Sequence, residues 1–218
     1  MKYSFIICAA VLLSAGCNNE AKNAESKTDS LSDSTSTSAA TTAAPAAMPD
    51  TAAMMKAWND FKTPGKMHQW LSSSVGTWDS ELSQWMSPTD PPMKSKATTT
   101  ITMGFKGLYQ FSKFTGSMMG QPFEGQSTLG YDNAKKMFVN SWIDNSGSGI
   151  VYMTGNYDEA TKTLNLKGKQ TDPVTGKDSD IREELTVIDD DTQRMAMYGT
   201  GMDGKEMKFM EGVFKRRK

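Results

Sequence analysis

From Val75 onward, large apolar residues and polar residues alternate in short runs, and no apolar stripe at helical spacing persists beyond two turns. In Phe138-Val139-Asn140-Ser141-Trp142 and in Ile181-Arg182-Glu183-Glu184-Leu185-Thr186-Val187, every second position belongs to one face, the period of a strand lying against a core. Ten such runs, at 77–86, 96–103, 108–115, 123–131, 136–144, 150–157, 163–170, 180–188, 194–199 and 205–214, are rich in Thr, Val, Ile and aromatics. Their connections are short and carry turn residues, as in Asp132-Asn133, Asp172-Pro173-Val174-Thr175-Gly176 and Asp203-Gly204. About ten hairpin-linked strands in succession predict an all-β fold, an antiparallel up-and-down barrel, because closure removes the exposed edges of a long meander. An open two-sheet sandwich is the competing architecture, disfavoured by connections too short for Greek-key crossings.

Ahead of the strands the period changes. Met54, Ala57, Trp58 and Phe61 fall at helical spacing, as do Met67, Trp70 and Leu71, with Pro64-Gly65 between the two sets. The pattern predicts two short helices that precede the barrel within one domain at 51–218.

The first fifty residues follow neither period. Lys2 precedes an apolar run from Phe5 to Leu13, and small residues Ser14-Ala15-Gly16 precede Cys17. That layout is a secretory signal peptide, here 1–16, whose apolar run falls far short of the roughly 20 residues that span a bilayer. Leu13-Ser14-Ala15-Gly16-Cys17 resembles the bacterial lipoprotein box, which implies cleavage before Cys17, a lipid on its sulfur and N-acylation. Several acyl chains, at about 0.8 kcal/mol per buried CH2, anchor a protein to a membrane permanently. Asn18 stands where the same resemblance puts an inner-membrane retention aspartate, so the expected residence is the outer membrane of the cell envelope, periplasmic or surface side left open. Residues 17–50, mostly Ser, Thr, Ala, Asn, Asp and Pro after the cysteine, bury too little surface to offset ordering entropy and read as a disordered linker.

Composition then removes function classes. With 24 Lys plus Arg against 25 Asp plus Glu, the chain has no basic excess with which to hold nucleic acid. One His and two Cys cannot build a four-ligand Cys/His zinc site. Cys8 leaves with the signal peptide and Cys17 carries the lipid, so no thiol remains for nucleophilic or redox chemistry. There is no Gly-x-Ser-x-Gly elbow, and Asp189-Asp190-Asp191 lacks the spaced ligands and glycine of a calcium loop, reading instead as a solvated hairpin turn. The sequence therefore assigns no catalytic residue, no metal and no cofactor.

Gly76-Thr77-Trp78 opens the first strand, and Val213-Phe214-Lys215-Arg216-Arg217 closes the last. In an up-and-down barrel these strands are neighbours, so a terminal guanidinium such as that of Arg216 can lie over the Trp78 indole and close the barrel beside Gly76. The pairing resembles the calycin superfamily. Together with Phe123-Glu124-Gly125, Leu129-Gly130-Tyr131-Asp132, Trp142-Ile143-Asp144, Gly155, Asp172 to Gly176 and Asp203-Gly204-Lys205-Glu206, it makes the chain resemble the bacterial domain of unknown function 1579 family over about 67–217. The resemblance implies a calycin- or lipocalin-like barrel and no established activity. Each motif also has a purely structural reading, with glycines and Asx residues for turns and tryptophans for packing.

Asn140 and Glu183 interrupt apolar faces. If those faces point inward, an amide and a carboxyl lie inside the barrel, where burying either without a partner costs on the order of 1–3 kcal/mol. With Trp78, Tyr131 and Trp142 they are the candidate ligand-binding residues. The rival account is a bulge or register offset that turns them outward, as in a surface ladder with Arg182. His68, the one histidine, sits beside Trp70 and Leu71 in the second helix and reads as a plug residue. Haem-binding calycins share the Gly-Thr-Trp opening, which keeps a haem ligand open for His68. This chain departs from them in Asp79-Ser80-Glu81 and in having no histidine late in the barrel.

Fifteen of the 17 Met follow residue 50, among them Met195 and Met197 on one face and Met118-Met119 in an expected loop, and flexible thioethers suit adaptable apolar pockets. The leading expectation is a lipid-anchored envelope barrel that binds a small apolar or amphipathic molecule. The alternative is a structural or interaction lipoprotein with a filled barrel, docking through loops such as 116–122 or 145–149. For hydrolysis, an acid pair such as Asp144 with Glu183 has no separation that a sequence can supply.

Overall fold

The computed structural model describes residues 50–201 and 203–218. The signal peptide 1–16, Cys17 and all of the linker except Asp50 lie outside the described residues. Ten strands follow one another: β1 (Gly76–Gln84), β2 (Met93–Gly104), β3 (Tyr109–Met118), β4 (Gln121–Asp132), β5 (Met137–Asp144), β6 (Val151–Asp158), β7 (Thr163–Thr171), β8 (Asp178–Asp189), β9 (Thr192–Thr200) and β10 (Glu206–Arg216). Each pairs antiparallel with its chain neighbour and β10 returns to β1, so the sheet is a closed ten-strand up-and-down barrel and not a sandwich. Every strand is paired on both edges within 76–216, so the barrel closes with no contribution from residues outside the described ones.

Alternation along the strands does what the pattern predicts. In β1, Trp78, Ser80, Leu82 and Gln84 are buried while Asp79 and Glu81 face out. The difference comes at the hairpins and bulges. β3 and β4 extend into the loop expected at 116–122, leaving a tight turn at Met119-Gly120, both at positive φ, as two-residue hairpins require. The register shifts between Lys208 and Met210, and there Phe209 and Met210 both reach the barrel interior, which strict alternation forbids.

Helix α1 (Thr51–Lys62) is capped by Asp50, the last residue of the predicted linker, whose carboxylate accepts from the Ala53 N–H at 2.7 Å. It buries no residue: Met54, Met55, Trp58 and Phe61 stay exposed. The Asn133 side-chain amide, on the β4–β5 turn, donates to the carbonyls of Asp60, Phe61 and Thr63 and holds the end of the helix. After Pro64-Gly65, α2 (Lys66–Ser73) enters one end of the barrel as a plug. Leu71 packs on Leu129, Phe138, Met153, Leu164, Leu166 and Ile181, while Trp70 lies against Phe138 and Tyr157. Each large apolar side chain so buried contributes about 1.5–3 kcal/mol.

The last carbonyls of α2 have no helical N–H to receive, and barrel side chains serve them. Gln110 Nε2 donates to Leu71 O at 2.8 Å, Trp78 Nε1 to Ser74 O at 2.8 Å, and Arg216 to Ser73 O at 2.8 Å and Val75 O at 2.5 Å. The Arg216 cation also suits the negative end of the helix dipole.

Candidate ligand-binding cavity

The barrel seam is built around Arg216. Its Cζ lies 4.3 Å from the centre of the Trp78 ring, its Nη2 donates to Asp190 O at 3.0 Å, and its Nε is 3.2 Å from the Asp191 carboxylate. Asp189-Asp190-Asp191 is the expected solvated hairpin turn, between β8 and β9, and Asp190 and Asp191 in it also hold this arginine. Gly76 stands at φ +139, and a Cβ there would come within 3.0 Å of Arg216 Nη1. Gly76, Trp78 and Arg216 thus meet at one point of the wall, with the indole face occupied by the guanidinium and its N–H by Ser74.

The α2 end of the barrel is filled. Toward the opposite end the interior opens into a cavity of about 320 Å3, walled mainly by apolar side chains that include the thioethers of Met118, Met153, Met195, Met197 and Met210. Trp78, Asn140, Trp142 and Glu183 all line it. Tyr131 does not. It points inward at the plugged end, edge-on to His68 at 5.9 Å and to Phe138 at 5.0 Å, because α2 occupies the space it would otherwise offer a ligand.

Two of the short motifs form a single unit near the mouth. Trp142 stacks on Phe123 with centroids 6.4 Å apart and an interplanar angle of 17°, and its ring covers Gly125, where a Cβ would fall 2.2 Å from it. Its indole N–H donates to Asp144 at 2.6 Å. Burial raises the Asp144 pKa, but hydrogen bonds from the Ser146 hydroxyl, the Trp142 indole and the backbone of Ser146 and Gly147 outweigh it and hold the carboxyl below its usual range.

Further in, the polar groups divide into those with partners and those without. Gln110 is committed to Leu71 O, and Gln193 Nε2 donates to Ser74 Oγ at 2.9 Å. Asn140, only 6% exposed, leaves its Oδ1 without a partner, and so does Thr99 its Oγ1. Glu183 keeps some accessible surface where it borders the cavity, yet protein surrounds it, and burial pushes its carboxyl up to about 7. A charged ladder does run along β8, but on the outer face: Arg182 lies 3.6 Å from the Tyr198 ring and pairs with Glu184 and with Glu206, the latter at 2.9 Å.

His68 is 3% exposed, its Nδ1 accepting from the Gly65 N–H at 3.0 Å and its Nε2 making no hydrogen bond. Burial lowers its pKa, partly opposed by the Tyr131 backbone. The ring belongs to the plug and does not line the cavity, so a haem held in the lumen would find no imidazole on the wall, and the haem-ligand reading of His68 is set aside. Among the described residues, no three His, Cys, Asp or Glu side chains are grouped to hold a metal ion.

Thr99 and Gln110 escape a reading of the sequence. Thr99 lies in Thr98-Thr99-Thr100, where alternation carries no contrast, and Gln110 follows the 3-10 turn Phe105–Gly107, which resets the phase.

The model of the family described as Protein of unknown function (DUF1579) matches residues 63–216. No protein with a curated description matches the chain. Among solved structures, Rv2717c from M. tuberculosis is similar with a TM-score of 0.56 and 14% identity, over 72% of this chain and 100% of that one. The S-type phycobiliprotein lyase CPES from Guillardia theta is similar with a TM-score of 0.50 and 12% identity, over 72% of this chain and 96% of that one. At such identities the likeness is one of fold.

Proposed function

This chain belongs to the DUF1579 family through residues 63–216, and from that premise and its cavity we propose that it is a binding module holding one small apolar or amphipathic molecule inside the barrel. A lipid on Cys17 tethers it to the bacterial cell envelope, at the outer membrane, and the partner it meets there is that membrane. The observation that carries the reading is the division of the interior. Side chains fill the α2 end, whereas the other end holds about 320 Å3 bounded by apolar walls with a few polar groups, within the range of small-molecule sites. A barrel built only as a structural body gains nothing from leaving Asn140 and Glu183 uncompensated within it. The mouth is rimmed by exposed Met86, Met119, Ile150 and Val174, one from each of four connections, which suits the entry of an apolar molecule. Support for the tether is the run Leu13-Ser14-Ala15-Gly16-Cys17.

Native mass spectrometry of residues 50–218, purified from cells without detergent, tests the cavity: the expected result is a bound small molecule, recovered by extraction. A protein that arrives bare and whose Trp78 and Trp142 fluorescence ignores every apolar probe would overturn the reading. For the tether, Cys17→Ala in the full chain is expected to move it from the membrane to the soluble fraction, and an unchanged distribution would remove the anchor.

A further inference from the structure

We infer that the cavity selects amphiphiles whose head is a protonated amine, seated against Glu183, over those with a carboxylate or phosphate head; the inference rests on the binding-module reading. The first ground is charge. The ionisable groups on the cavity wall are Asp144 and Glu183, and no Lys, Arg or His lines it among the described residues. An anionic head drawn into this space would leave water for a low-dielectric site that offers carboxyls and no cation, and charge repulsion there is stronger than in water.

The second ground is hydrogen-bonding capacity. Two side-chain amide donors on the wall are already committed, Gln110 to Leu71 O and Gln193 to Ser74 Oγ, and the Trp78 and Trp142 indole N–H groups go to Ser74 O and Asp144. Two buried oxygens on the wall have no partner, Asn140 Oδ1, an acceptor, and Thr99 Oγ1, a hydroxyl that accepts or donates, and the Glu183 carboxyl has no donor beside it. These come from β5, β2 and β8, three or four strands apart around the barrel, so the oxygens border the lumen from three sides. An ammonium carries three donors and no acceptor, and is the head group that such a wall complements. An alcohol donates once, and a carboxylate not at all. The apolar walls and thioethers around these groups take the alkyl or aryl body.

The third ground is the state of Glu183 without a ligand. Its carboxyl resists ionisation because nothing beside it compensates the charge, and an ammonium supplies that compensation. Asp144, already satisfied by Trp142 and Ser146, does not need one and contributes its field from the mouth.

The test is calorimetric titration of residues 50–218 with three ten-carbon probes that differ only in the head: decylamine, decanol and decanoate, each below its aggregation concentration. Decylamine is expected to bind about tenfold or more tighter than the other two, the increment of one charged hydrogen-bonded contact. In Glu183→Gln, which keeps the side-chain shape, that preference should vanish. Decanoate or decanol binding as tightly as decylamine, or a preference that survives in Glu183→Gln, overturns the inference while leaving the binding module standing. Failure of wild type to bind any of the three overturns the binding module itself. Should Glu183→Gln not fold, the wild-type order decides, since any order but amine first contradicts the inference.

Discussion

A carboxyl on a cavity wall with no donor beside it resists ionisation, and Glu183 is held up to about 7 for that reason. The unfolded chain ionises this group near the ordinary glutamate value of 4.5. Below pH 4.5 both states hold the proton and Glu183 costs nothing; as pH rises through 7 the unfolded state has released it and the folded state has not, so stability is lost across that window. Glu183→Gln should therefore raise stability at pH 8 by on the order of 3 kcal/mol and leave it nearly unchanged at pH 4, read from urea melts at both values. An equal gain at both pH values would show that ionisation is not the cause. Arg216 makes the opposite case, a charge whose three nitrogens all donate. Lysine cannot lie flat on Trp78 and serve Ser73, Val75 and Asp190 at once, so Arg216→Lys should cost about 2 kcal/mol in the same melts. A loss below about 0.5 kcal/mol would mean the seam does not depend on the fork. The Arg216–Trp78 meeting was legible because both ends of the chain carried distinctive residues; the capping of α2 by the same arginine was not, because carbonyls leave no mark in a sequence.

At the scale of elements, α1 and α2 look alike as patterns, each with Met and Trp at helical spacing, yet one lies outside the barrel and the other plugs it. Removing Thr51–Lys62 should change stability by less than about 1 kcal/mol, since the helix buries nothing, whereas Leu71→Ala should cost about 3 kcal/mol by opening a space under the plug. Thermal melts of the two variants check this, and a large loss on deleting α1 would show that its apolar face is covered. The β4 and β5 motifs were visible as Phe123-Glu124-Gly125 and Trp142-Ile143-Asp144, but their joining was not, since register brings Gly125 opposite Asp144 and only then does Trp142 lie over the glycine. Gly125→Ala should push the indole off Phe123, losing about 2 kcal/mol and altering the near-ultraviolet circular dichroism. An unchanged spectrum would show that the ring has room to yield.

For the whole molecule, closure is the decisive contact. β1 and β10 pair residues from opposite ends of the domain, Trp78 against Arg216 and Leu82 against Gly212, and every other strand pair is a local hairpin. Ending the chain after Met207 should leave β1 unpaired on that side and most of β9 with an open edge, and the expected outcome is loss of the cooperative melt and gain of aggregation. A truncated chain that still melts cooperatively would show that the hairpins suffice. The ten strands, the two helices, most inward faces and the neighbourhood of the first and last strands are readable from residue order alone, because they follow from local period, turn chemistry and the need to close edges. Packing in three dimensions is what makes α2 fill one end and leave a cavity at the other, sets Tyr131 on the plug, turns Phe209 and Met210 both inward and leaves Glu183 without a donor. Those outcomes depend on which side chains from distant strands reach the same volume, and on where a bulge shifts the phase. Neither quantity is carried by the order of residues along one strand.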